Sequence, residues 1–241
     1  MNYIERAYRN RVSGNWLSSF CVIEKETDLH ISSDGHDLKG LAIESIRRHR
    51  NILERYIRNH SQFLTSLVPL PTDTMAPMIV KDMVNAVQCA GVGPMASVAG
   101  AIAEYVGYDL LNECSNVIVE NGGDVFIKLV EKEISVGIFA GESPLSYKVA
   151  LKITPEETPL GICTSSATVG HSISFGTADA VCIKSKSALL ADAAATAVCN
   201  SIKCPGDIKT ALHKASDIKG VLGVVIIAGN KMGASGDIEF V

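Results

Sequence analysis

The chain predicts an α+β fold with mainly antiparallel sheets packed against helices, and three observations carry that expectation. Strand-like runs cluster and are joined by short turns, helical stretches come in blocks, and the order of elements is not an alternation of βαβ units. With 241 residues, 47% of them hydrophobic and 20% charged, the chain can bury a full core, and one domain over residues 1–241 is expected.

Taken in order, polar and apolar positions alternate through Tyr3 to Val12, Trp16 to Glu24 and Thr27 to Ser33, with turn residues between them, which predicts an antiparallel meander. The period then becomes helical from Asp37 to about Leu64, with Leu38, Leu41, Ala42, Ile46, His49, Ile52, Leu53, Tyr56, Ile57 and Phe63 on one side. His49 and His60 fall in or beside this stripe and are expected to pack. Arg47, Arg48, Arg50, Arg55 and Arg58 occupy the other side, as a solvated face or a phosphate contact. Three prolines mark 68–77 as a connection, and helices follow at 78–89 and 94–111. The second of these has Pro94 at its first position and small residues at Ala96, Ala99, Gly100 and Ala103, suited either to backbone-close packing or to an anion at its N-terminus.

Strand-like runs come next at 116–120, 125–130, 134–140 and 147–153, each bounded by turn residues. A hydroxyl-rich segment, 161–176, precedes a strand at 178–184 and an alanine-rich helix beginning near Ala188. A helix near 206–215, an apolar strand at 221–228 and a last strand after the Gly-Asn-Lys-Met-Gly turn complete the chain.

A formal net charge of −4 argues against a dedicated nucleic-acid binder, which needs positive potential along its contact surface. No run reaches the ~18–20 apolar residues of a membrane span, and the first residues lack the apolar core of a signal peptide, so a cytoplasmic location is expected. The seven cysteines form no CxxC pair and suit reduced, mostly buried thiols. The apolar strands and the small-residue helix are compatible with a homodimer.

Three stretches carry candidate chemistry. In Asn121-Gly122-Gly123-Asp124 the paired glycines permit positive φ and let main-chain N–H groups line a concavity, although a plain hairpin turn uses the same residues. Thr164, Ser165 and Ser166 offer hydroxyl donors suited to phosphate or ribose oxygens, and His171, the only histidine of that region, is the candidate general acid or base. Asp192 and Thr196, at i and i+4 on the alanine-rich helix, share one face and offer hard oxygens suited to Mg²⁺ or Ca²⁺. The same pair also fits an Asp set against the helix dipole and a Thr bonded within its own turn.

Together ENGGDV (120–125), CTSSATVGHS (163–172) and SALLADAAATA (187–197), in this order, resemble the ApbE-like superfamily, whose best-known members are FAD-dependent flavin transferases. The resemblance covers most of the chain and implies a single ApbE-like domain, Mg²⁺ on Asp192 and Thr196, and a flavin-nucleotide pocket formed by Asn121 to Asp124 and Thr164 to Ser166. Where the transferases carry Asp-Pro-x-x-Gly after their histidine, this chain continues His171-Ser-Ile-Ser-Phe-Gly176. It is similar instead to a short, cytoplasmic, mostly uncharacterised branch linked in anaerobes to sulfide assimilation into homocysteine. Two expectations follow. One is a Mg²⁺-dependent flavin or nucleotidyl transferase binding FAD or a related nucleotide. The other is a non-catalytic nucleotide-binding protein that partners a sulfur-assimilation enzyme.

Overall fold

The computed structural model describes residues 16–169 and 175–241, so the expected strand at Tyr3–Val12 and the residue His171 lie outside the described residues. Its strands are β1 (Ser18–Glu24), β2 (Thr27–Ser33), β3 (Val117–Asn121), β4 (Asp124–Lys128), β5 (Ile134–Gly137), β6 (Ala150–Ile153), β7 (Leu160–Ser165), β8 (Ala180–Ser185), β9 (Val221–Ala228) and β10 (Lys231–Gly236). All but β5 and β6 join one sheet in the order β1-β2-β3-β4-β7-β8-β9-β10, and every pairing is antiparallel. The fold class is therefore as the sequence predicts. What the sequence pattern hides is that β5 and β6 leave this sheet and pair only with each other.

Strand alternation sorts the side chains onto two faces. Leu29, Ile31, Val117, Val119, Phe126, Cys163, Val181, Ile183, Val224 and Ile226 point into a core shared with the helices. Ile118, Val125, Ile127, Leu160, Ile162, Cys182, Val225 and Ile227 point the other way, into a second core closed by Ile134, Val136, Leu151 and Ile153 of the small sheet. With both faces covered, the central strands read as nearly continuous apolar runs.

Helix α1 (Lys39–Asn59) buries Ala42, Ile46, His49 and Leu53 at helical spacing. Three of the five arginines on its basic face are paired: Arg47 meets Glu24, Arg50 meets Glu26 and Arg48 meets Asp109. The predicted helix 37–64 breaks at His60, and a short α2 (Gln62–Thr65) follows. His49 packs as expected, donating from Nε2 to Asp109 Oδ2 at 2.8 Å, whereas His60 is exposed and stacks on Tyr56 at 4.1 Å. Among the described residues, no single helix is long and apolar enough to cross a membrane.

Helix α3 (Met78–Ala90) stops at Gly91, whose φ of +73° suits a residue without Cβ. Pro94–Ser97 forms one 3₁₀ turn and α4 (Val98–Leu110) continues from it. Its small residues serve close packing. A Cβ on Gly100 would sit 2.2 Å from the Ala188 carbonyl oxygen, and one on Gly107 would sit 2.2 Å from the Phe126 ring. Helix α5 (Ala188–Cys199) is capped by Ser187, whose hydroxyl accepts from the Leu190 N–H at 3.4 Å, and α6 (Ile208–Asp217) covers β9 and β10.

Candidate functional site

The turn between β3 and β4 is the two-residue hairpin that Asn-Gly-Gly-Asp favours. Asn121 and Asp124 pair across it, and Gly122 and Gly123 take φ values of +69° and +107°, a region open to glycine at little cost. Three contacts fix it: the Gly123 N–H donates to Glu120 Oε1 at 2.8 Å, the Asn121 amide donates to the Ala99 carbonyl at 3.1 Å, and the Thr164 N–H donates to the Gly123 carbonyl at 3.2 Å. A turn needed only to reverse the chain would not require the bond from Asn121 to the start of α4. This one is tied to that helix and to the end of β7.

Register decides which neighbours Asp124 has. It lies directly opposite Cys163 on β7, and both point to the helix face beneath α5. Burial holds the Asp124 carboxyl well above its usual range, and the nearby Asp192 carboxylate raises it further. The Cys163 thiol, buried with its sulfur 3.3 Å from the Ala188 carbonyl, is pushed up by the same burial and by both carboxylates, so it stays protonated and is no nucleophile. Cys182 and Cys199 are buried too, while Cys21, Cys89 and Cys204 are exposed, so the expectation of mostly buried thiols holds for only part of the set.

Asp192 is the fifth residue of α5, beyond the free N–H groups of its own first turn. It serves another helix. Its Oδ2 accepts the Gly100 N–H at 2.9 Å, at the start of α4, which has no side-chain cap from its own N-cap residue Ser97. Burial pushes the Asp192 carboxyl up to about 7, against the lowering effect of the Gly100 and Ala99 N–H groups. Thr196 lies one turn further along α5 on the same side. The cap to its own helix that the sequence allowed for Asp192 is thus replaced by a cap across a helix pair, made possible because Gly100 lets the two backbones touch.

The hydroxyl segment is divided by the strand it belongs to. Thr164 and Ser165 are the last residues of β7 rather than part of a loop, so they face opposite ways. Ser165 is buried on the helix side. Thr164 points to the second core, beside Cys182. Ser166 turns its hydroxyl inward on its own loop, accepting from the N–H groups of Thr168 and Val169 at 3.1 and 3.0 Å. The structure therefore brings Asn121, Gly122, Gly123, Asp124, Ser165 and Asp192 to one end of the sheet, and sets the Thr164 side chain apart. Glu104, which the sequence reading passed over, is also here: it is half-buried on α4, its carboxylate takes the Ala188 N–H, and burial holds it above the ordinary range. The i, i+4 spacing of Gly100 and Glu104, matching that of Ala188 and Asp192, is the signal that could have found it.

The family described as AbpE bacteria matches residues 9–230. A UPF0280 protein of Methanococcus aeolicus is 43% identical over 218 residues, covering 88% of each chain, and one of Methanocaldococcus jannaschii is 43% identical over 222 residues, covering 90% of each. Among solved structures, the apo flavinyl transferase ApbE of Pseudomonas stutzeri superimposes with a TM-score of 0.56 at 12% identity, covering 91% of this chain and 94% of its own. The ApbE protein of Thermotoga maritima gives 0.59 at 14% identity, covering 91% and 97%. At such identity the likeness is one of fold.

Proposed function

The chain belongs to the AbpE family, and on that premise we propose that it binds a flavin nucleotide such as FAD together with Mg²⁺, at the end of the sheet where the 121–124 turn, the end of β7 and the α4–α5 pair meet, and that it carries out a flavin-transferase type of reaction. The observation that carries the reading is the meeting of two carboxylates, Asp124 and Asp192, under a glycine turn whose backbone is open to close approach. Like charges crowded in a buried place are costly unless one takes up a proton or a cation lies between them.

The residues fit such a cation. Asp192 and Asp124 offer hard anionic oxygens and Thr196 a neutral one, the donor set that suits Mg²⁺ when phosphate oxygens and water complete it. Bound there, Mg²⁺ would supply charge neutralisation of a pyrophosphate. The chain's own residues would do the rest. Gly122 and Gly123 admit the nucleotide close to the main chain, Asn121 and Ser165 line the approach, and Thr164 and Ser166 contribute through the backbone that carries them. In the transfer, a hydroxyl of the acceptor would bond to the flavin-side phosphorus of FAD as the pyrophosphate P–O bond breaks and AMP leaves, and an imidazole nitrogen of His171 would take up the hydroxyl proton.

Isothermal titration of FAD, with Mg²⁺ and with chelator, tests the site. Binding is expected to need Mg²⁺, to weaken by roughly 100-fold in Asp192→Ala and by roughly tenfold in Thr196→Val, because water can replace a neutral ligand better than an anionic one. Binding indifferent to chelator and to both substitutions overturns the reading and leaves Asp192 as the cap of α4. A second reading rests on the sequence after His171, which lacks the transferases' Asp-Pro segment: a nucleotide-binding partner of a sulfur-assimilation enzyme, without turnover. Mass analysis of FAD after incubation separates the two, since only the enzyme consumes it.

A further inference from the structure

Helices α4 and α5 hold each other by a reciprocal exchange. On α4, Gly100 and Glu104 stand one turn apart, and on α5 so do Ala188 and Asp192. The Gly100 N–H donates to Asp192 at 2.9 Å, and the Ala188 N–H donates to Glu104 at 2.5 Å. Each helix thus supplies the acceptor for an N–H near the other's N-terminus, where the helix dipole favours a negative charge. The crossing lies between the two bonds, where Gly100 meets the Ala188 backbone. Glu104 also draws on the Ser187 hydroxyl and the Leu189 N–H, so it fixes the first turn of α5 as a unit.

We propose that Glu104 is a positioning residue for the Mg²⁺ and flavin site: it touches neither group and acts by holding α5 at the rotation and height that place Asp192 over the start of α4 and beside Asp124. The geometry gives the reason. Asp192 lies four residues along the helix from the atom that Glu104 grips, so a slip or rotation of the first turn of α5 carries the Asp192 carboxylate with it. Packing of Ala193 and Ala197 against Val87 and Val92 holds the other side of α5, and the Lys214 ammonium donates to the Ala197 carbonyl at 3.0 Å, more than a turn beyond Asp192.

The inference rests on the proposed function only for its ligand, and its test has two readouts for that reason. The first is hydrogen exchange of the Gly100 amide by NMR in the full chain, with the core amides of Val119 and Ile183 as reference. The second is FAD titration with Mg²⁺ and with chelator. In Glu104→Ala the Gly100 amide is expected to exchange roughly tenfold faster while Val119 and Ile183 keep their protection, and FAD affinity in Mg²⁺ is expected to fall by roughly tenfold with no change in chelator. Glu104→Gln keeps an acceptor oxygen for the Ala188 N–H and should restore both to within about threefold. A purely structural role would speed exchange at all three amides together and leave the effect of Mg²⁺ as large as in wild type, and that result overturns the proposal. So does an unchanged Gly100 amide in Glu104→Ala. If the wild-type chain shows no Mg²⁺-dependent FAD binding yet Gly100 responds selectively, the assigned ligand falls and the positioning of Asp192 by Glu104 stands.

Discussion

Lys184 is 2% exposed on β8, where an unpaired ammonium would be untenable, and two carboxylates make it tenable. Its Nζ donates to Glu157 and, at 2.9 Å, to Asp237. Burial alone would lower its pKa, and the two carboxylates more than offset that, so the net direction is up. Asp237 and Glu157 keep partial access to water, with side chains 69% and 25% exposed, which limits the cost of stranding them. Lys184→Ala is expected to lose about 2 kcal/mol in urea denaturation, from the cavity and the stranded Glu157, and Lys184→Met less than about 1, because it keeps the volume. Equal losses in the two variants, which both remove the ammonium and differ only in volume, would show that the charge pairing, not the packing, carries the site. Little of this was legible in the sequence. A lysine in the apolar run Ala-Val-Cys-Ile-Lys reads as the end of a strand, and its partners come from two distant turns.

Two glycines show how packing at the level of elements sets the sign of a substitution. Gly161 on β7 faces α5, and a Cβ there would lie 2.3 Å from the Ala188 Cα, whereas Gly40 on α1 has open space around it. Alanine is the better residue in a regular element by roughly 0.5–1 kcal/mol, through backbone entropy. For Gly40→Ala nothing opposes that gain, and a rise in thermal midpoint of roughly 1–4 °C is expected. For Gly161→Ala the clash is with backbone, which cannot rotate away, so a net loss of about 2 kcal/mol is expected by denaturant titration. The small-residue pattern of α4 and α5 was plain in the sequence. What it does in the fold, bringing the two helices into contact, was not, because a run of Gly and Ala permits close approach without naming what approaches.

At the scale of the whole molecule, carboxylates with opposite shifts set how stability depends on pH. Asp192 is held up to about 7, and Asp124 and Glu104 are raised with it, mainly by burial. The folded state thus keeps protons that the unfolded chain releases. The resulting stabilisation is full below the unfolded carboxyl range, near pH 4, and is lost as pH rises to about 7. Asp34 and Asp109 are lowered by the hydrogen bonds and charges they accept, in excess of the burial that opposes them, so their contribution is lost as pH falls below about 4. In chelator the thermal midpoint is expected to peak near about pH 5 and to fall by on the order of 5 °C toward pH 8. Asp192→Asn should flatten that fall, and Mg²⁺ should reverse it in wild type by occupying the two carboxylates. A wild-type midpoint that climbs steadily from pH 5 to 8 without Mg²⁺ contradicts the burial of the pair.

The sequence by itself determined the fold class and most of its pieces: apolar positions at period two for the strands, at helical period for α1, glycines at the β3–β4 turn, and an i, i+4 pair in Asp192 and Thr196. These are contacts between near neighbours along the chain, and local spacing encodes them. Tertiary structure decided the rest. Asp124 faces Cys163 because β4 pairs with β7 across the excursion of β5 and β6, and that register is fixed by which side chains fit the two cores. The same register turns Ser165 toward α5 and Thr164 away from it. Asp192 caps α4 rather than α5 because Gly100 lets two helices touch, and a single helix's sequence cannot say which helix will lie against it.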